Sequence, residues 1–156
     1  MALVHEKLYQ SGDLARLNFA DYAASLMHYL WRVHGEAADK VRLTLATQPT
    51  TLPVGVAVPC GLILNELASN ALKHAFHGQA QGEVTVGLER DAATNRLCLR
   101  VSDDGMGLPA GLDVRRSTSL GLRLVHMLTQ QIGGTVEVSS GPGAEFRVVF
   151  AAPEGS

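Results

Sequence analysis

Glu66, Asn70, Lys73 and His74 bring a carboxylate, an amide and two basic groups to one side of an otherwise apolar run. Residues four apart share a helical face, so Glu66, Asn70 and His74 form a row, with Lys73 beside it. Magnesium takes oxygen ligands from phosphates, waters and one or two side chains, and the Asn70 amide oxygen suits that role. Glu66, one turn earlier, could orient or deprotonate a water or an attacking group. Lys73 could reach a phosphate as a mobile point charge. A solvated polar seam is the commoner fate of any single such residue, but less so of four together. A second block, Asp103-x-Gly105-x-Gly107, closes an apolar run. Glycines let a ligand approach the backbone, and a carboxylate at the base of such a turn can accept from the exocyclic amine of adenine. The carbonyl that guanine presents there would be repelled. Alone, the block reads equally well as an Asp-Gly turn closing a hairpin. A third block, Leu120-Gly121-Leu122, opens an apolar helix whose free amides and dipole suit a phosphate. Ser119 is expected to cap that helix rather than touch a ligand. Together the three blocks predict a site for ATP and magnesium.

The elements that must hold these residues follow from periodicity and punctuation. The Glu66 helix is expected over Gly61–Ala75, with Pro59 in a helix-starting position. Residues 3–11 suggest the end of a helix closed at Gly12, and Asp13 or Asn18 could cap the next, over Phe19–His34, which stops at Gly35. A helix that opens at full amphipathic strength on the second residue predicts a cut through a longer element. Val41–Thr47 alternates as a strand, and Val54–Val58 reads as a short one. Glu83–Arg90 and Arg96–Ser102 read as a hairpin, Gly105–Thr118 as a loop whose 108–118 part is a mobile lid. Leu120–Ile132 reads as a helix ended by Gly133-Gly134, and Thr135–Ser140 with Glu145–Ala151 as a closing hairpin. This order predicts an α/β fold, a two-layer sandwich with helices on one face of a mixed sheet.

A chain of 156 residues with 46% hydrophobic and 18% charged residues is long and apolar enough for one domain with its own core. The formal charge of -2 gives no reason to expect nucleic acid or an acidic membrane as partner. Cys60 and Cys98 sit inside apolar runs, at a spacing that fits no zinc site, and are expected to be reduced thiols of a cytoplasmic protein. No membrane-spanning run or signal peptide is expected.

Glu66-x-x-x-Asn70, Asp103-x-Gly105-x-Gly107 and Leu120-Gly121-Leu122 resemble, in that order, the N, G1 and G2 boxes of the gyrase, heat-shock chaperone, histidine kinase and MutL ATPase superfamily. Within it the chain resembles the catalytic ATP-binding domain of bacterial sensor histidine kinases, a Bergerat-type fold. The Ala2–Ser11 text and Asn65–Phe76 are similar to the subfamily with the second type of dimerisation and phosphoacceptor segment. The third glycine box, commonly Gly-Thr, reads Gly143-Ala144-Glu145. The resemblance implies that residues 1–18 end a truncated dimerisation helix and its linker, and that 19–156 form the ATP-binding domain. It implies Glu66 as catalytic. Asn70, Lys73, His74, Asp103, Gly105, Gly107, Leu120, Gly121 and Leu122 would bind the nucleotide, with Asn70 on the metal. The γ-phosphoryl would pass to a histidine on a missing upstream helix, then to a response regulator; His5 is not that acceptor. A freestanding anti-sigma-type serine kinase and a degenerate interaction domain are the rival readings.

Overall fold

The structure, a computed structural model, describes residues 16–76, 81–108 and 119–155. The helix expected over 3–11, the cap at Asp13 and the 109–118 part of the lid lie outside these residues. In chain order the described elements are β1 (Arg16–Asn18), α1 (Phe19–His34), α2 (Glu36–Asp39), β2 (Val41–Thr47), β3 (Thr51–Pro53) and α3 (Val54–His74). There follow β4 (Gly82–Asp91), β5 (Arg96–Asp103), α4 (Leu120–Gln131), β6 (Thr135–Ser140) and β7 (Ala144–Ala151).

Five strands form one sheet in the order β2-β4-β5-β7-β6, and β1 pairs with β3 in a separate two-stranded sheet. The β2–β4 pair is parallel and the other pairs of the large sheet are antiparallel, so the sheet is mixed, as expected. Strict alternation decides which face is covered. Leu97, Leu99 and Val101 of β5 and Phe146, Val148 and Phe150 of β7 are buried, in register with Val86 and Leu88 of β4. The residues between them carry charge. Arg100 pairs with Glu89 and approaches Glu145, while Arg147 pairs with Glu137 at 3.2 Å, a charged ladder on the opposite face. The helices therefore cover one face and leave the other to water.

α3 is the middle helix of that layer, with α1 on one side and α4 on the other. Ala57, Cys60, Gly61, Leu64, Leu67, Ala68, Ala71 and Leu72 are buried along it, at intervals of three and four. Asn18 caps α1, its side-chain oxygen accepting from the Asp21 N–H at 3.2 Å. The strand expected over Val54–Val58 is instead the first turn of α3, which starts seven residues before Gly61. Two-residue alternation of valines misled there, because Ala57 and Cys60 already follow the helical spacing of the buried side. Pro59 lies inside the helix rather than at its start. The carbonyl its missing N–H strands belongs to Gly55, which is exposed to water. α2, β1 and β3 were not anticipated; each is three or four residues long, too short to show a period.

By length and mean hydropathy α3 would also reach across a bilayer, alone among helices of the described residues, contrary to the expectation that no run comes near that length. Half of that stretch is buried inside the protein. Cys60 and Cys98 are free thiols, and burial pushes Cys60 up to about 12.

Candidate functional site

Asp103 is the last residue of β5, and parity places it on the covered face with Leu97, Leu99 and Val101. Its carboxylate is bound from two directions. Oδ1 accepts the Gly105 N–H at 2.9 Å and the Ala144 N–H at 3.4 Å. Burial raises its pKa above the ordinary carboxylate value; those two hydrogen bonds pull it back, and the neighbouring Asp104 carboxylate adds to the rise. With Oδ1 held by the backbone, Oδ2 is the oxygen left to accept from a ligand.

Above it lies a cavity of about 340 Å³, inside the range of small-molecule sites. α3 lines it with Leu67, Asn70, Ala71, His74 and Ala75, the strands with Val101, Asp103, Ala144 and Phe146. Met106, Gly107 and Leu108 come from the turn after β5, and Ser119 and Leu122 from the start of α4. The walls are mostly apolar, with a carboxylate, an amide, an imidazole and a hydroxyl among them. That is the composition a flat heterocycle with a polar edge requires.

Gly105 makes the turn close. A Cβ there would overlap the carbonyl of Ala75, the residue that closes α3, and the Met106 N–H donates to that same carbonyl at 2.8 Å. Gly121 does the like at the other end. A Cβ on it would stand 2.8 Å from Glu66 Oε2 and 3.9 Å from Asn70 Oδ1. The first turn of α4 thus sits against the Glu66 and Asn70 side chains, one turn apart on α3.

The structure gathers Asn70, His74, Asp103, Gly107 and Leu122 around the cavity. Gly105 stands behind the turn, and Glu66 and Gly121 meet beside the cavity without lining it. Lys73 is exposed and lies off the lining, and Leu120 is 80% exposed. Ser119 precedes α4 with extended backbone and its carbonyl accepts the Arg123 N–H, but its side chain makes no capping hydrogen bond. The residue stands at the N-cap position as expected, without that bond, and it also borders the cavity. Sequence reasoning missed Met106, Ala144 and Phe146. The inward parity of β7 was the available signal for the last two. Among the described residues no three His, Cys, Asp or Glu side chains converge as a metal cluster. A divalent cation at Asn70 would therefore need further oxygens from a ligand, which is how magnesium meets phosphates.

A family model described as histidine kinase-, DNA gyrase B- and HSP90-like ATPase matches residues 55–155. The chain belongs to that family. A second model, described as histidine kinase, matches residues 1–34 of this ATPase-family chain. Blue-light-activated histidine kinase 2 of Erythrobacter litoralis is 31% identical over 140 residues, covering 86% of the chain and 40% of that protein. Sensor histidine kinase PdtaS of Mycolicibacterium smegmatis is 31% identical over 157 residues, 99% of the chain and 31% of that protein. The chain thus spans less than half the length of either relative. Among solved structures, the histidine kinase domain of an Erythrobacter litoralis blue-light activated kinase superposes with a TM-score of 0.86 at 24% identity, covering 96% of this chain and 70% of that one. The mycobacterial sensor histidine kinase MprB gives 0.70 at 17%, covering 88% and 96%. These superpositions bear out the α/β fold, and the family matches bear out a histidine kinase-type ATPase domain.

Proposed function

We propose that this domain binds ATP with magnesium and passes the γ-phosphoryl to a histidine on a dimerisation helix, for relay to an aspartate of a response regulator. One observation carries the reading. A backbone-held carboxylate and Asn70 line the same apolar cavity, and Asn70, with Glu66 beside it, stands against the first turn of α4. In this reading the base lies between the sheet and α3, with Asp103 Oδ2 accepting from its exocyclic amine. The phosphates run toward α4, whose first N–H groups have no intrahelical partner and point out along the axis. Asn70 would hold the magnesium there through its amide oxygen, and the cation would supply neutralisation of phosphate charge. Glu66 accepts a hydrogen bond from one ring nitrogen of the attacking imidazole, which keeps the lone pair of the other free to attack. Lys73 reaches the phosphates along its flexible stem, and His74 borders the base. The acceptor histidine is supplied by a dimerisation helix, and Arg16–Asn18, paired with Thr51–Pro53, is part of the folded domain.

Asn70→Ala should therefore weaken a non-hydrolysable ATP analogue by about tenfold while leaving adenosine within about twofold, because adenosine has no phosphates to bridge. Equal losses for both ligands in calorimetry would place Asn70 in helix packing instead. The transfer itself is tested with γ-labelled ATP. The chain alone should carry no acid-labile, base-stable phosphate, since the transfer is mostly positioning and the acceptor is elsewhere. A longer protein that includes the preceding dimerisation helix should be labelled on that helix. Phosphohistidine on His5 of the chain alone would overturn the assignment, and phosphoserine on a captured partner would favour an anti-sigma-type kinase.

A further inference from the structure

Met106 stands at the mouth of the cavity between two fixed points. Its own N–H is tied to the Ala75 carbonyl of α3 at 2.8 Å, and the Leu108 N–H is tied to Ser140 Oγ of β6 at 3.0 Å. A flexible thioether thus springs from a backbone held on both sides. It lines the cavity, yet the residue is 60% exposed. Met127, on α4, is exposed to the same degree, 63%, and does not line the cavity. Met27 is fully buried. An unbranched apolar side chain left in water at the rim of an apolar cavity gains contact when a flat ring slides beneath it, and sulfur packs well against aromatic rings.

We propose that Met106 closes over the bound base and makes nucleotide binding sensitive to oxidation. The ring shields the sulfur, and the sulfoxide weakens the site. This rests on reading the cavity as a base pocket. The oxidant is a peroxide. Its O–O bond breaks, one oxygen bonds to the Met106 sulfur, the sulfur gives up two electrons, and hydrogen peroxide departs as water. The product is a polar, chiral group where an apolar one covered the ring, so covering the base now requires stripping water from the S=O oxygen. Met127 undergoes the same chemistry with no consequence for the cavity. The two methionines therefore report separately within one molecule.

The test exposes the chain to hydrogen peroxide with and without a saturating non-hydrolysable ATP analogue and magnesium, and follows each methionine by peptide mass spectrometry. Met106 and Met127 should oxidise at comparable rates in the free protein. The analogue should slow Met106 by about fivefold or more and leave Met127 unchanged. After oxidation the wild type should bind the analogue and adenosine equally more weakly, by about fivefold, since the lost contact is to the base. Met106→Leu should lose this peroxide sensitivity, and Met127→Leu should keep it. Undiminished oxidation of Met106 under bound nucleotide, or peroxide sensitivity that persists in Met106→Leu, would overturn the inference and leave the nucleotide reading standing. A wild type that binds neither adenosine nor the analogue would end both.

Discussion

Asp103→Asn should separate stability from binding, weakening ATP by roughly thirtyfold, about 2 kcal/mol, while the fold melts no lower at pH 7. Asn can keep its Oδ1 toward the Gly105 and Ala144 N–H groups, which hold the carboxylate at 2.9 and 3.4 Å. Its second atom is then an NH₂ donor facing the donor amine of the base. For stability the sign runs the other way. Burial raises the Asp103 pKa in the folded chain. Between the unfolded value and that raised one the native state holds more protons than the unfolded chain, so stability falls as pH rises through the window. Above the window the charged carboxylate remains a cost that the neutral amide lacks. The variant should lose this part of the pH dependence. ATP affinity of the wild type should fall as pH drops through the raised pKa, because a protonated Oδ2 would present a donor. Normal affinity for the variant in calorimetry, or a melting temperature several degrees below wild type at pH 7, would contradict the placement of this group.

Gly105→Ala should do the opposite and damage both. The added Cβ would overlap the Ala75 carbonyl and lie 2.7 Å from the Ala75 Cβ. Both neighbours are atoms of Ala75, the buried residue that closes α3. Either the turn or the helix end must move, and the Met106–Ala75 hydrogen bond breaks with it. Overpacking of this kind costs about 1–3 kcal/mol, and a chain of this size should melt roughly 3–10 °C lower. Nucleotide binding should fall with it, because Gly105 also donates to Asp103. Unchanged thermal unfolding of Gly105→Ala would mean that this close approach is absent.

The comparison of these two residues shows what was legible in the sequence. Asp103 could be read because strand parity and the following glycines both survive as local patterns. Gly105 could be read as permissive, but its neighbour, Ala75, is thirty positions away and no local pattern names it. The same holds for Gly121 against Glu66, and for Ala144, whose N–H reaches Asp103 across the sheet. The long elements declared themselves by period, as in β5 and α4. The valines at 54, 56 and 58 gave a strand period inside a helix, because the first turn of α3 is only half covered and its pattern is set by burial on one side. Ser119 takes the N-cap position that its residue type suggests, but without a side-chain capping hydrogen bond, and it also borders the cavity.

The most direct test of a pocket built on Asp103 is a paired titration of the wild type with non-hydrolysable analogues of ATP and GTP in the presence of magnesium. The two share their phosphates and differ at the edge this carboxylate meets. Asp103 should accept from the adenine amine and repel the guanine carbonyl, so the ATP analogue should bind at least about tenfold tighter. Equal affinities would show that Asp103 does not read the base.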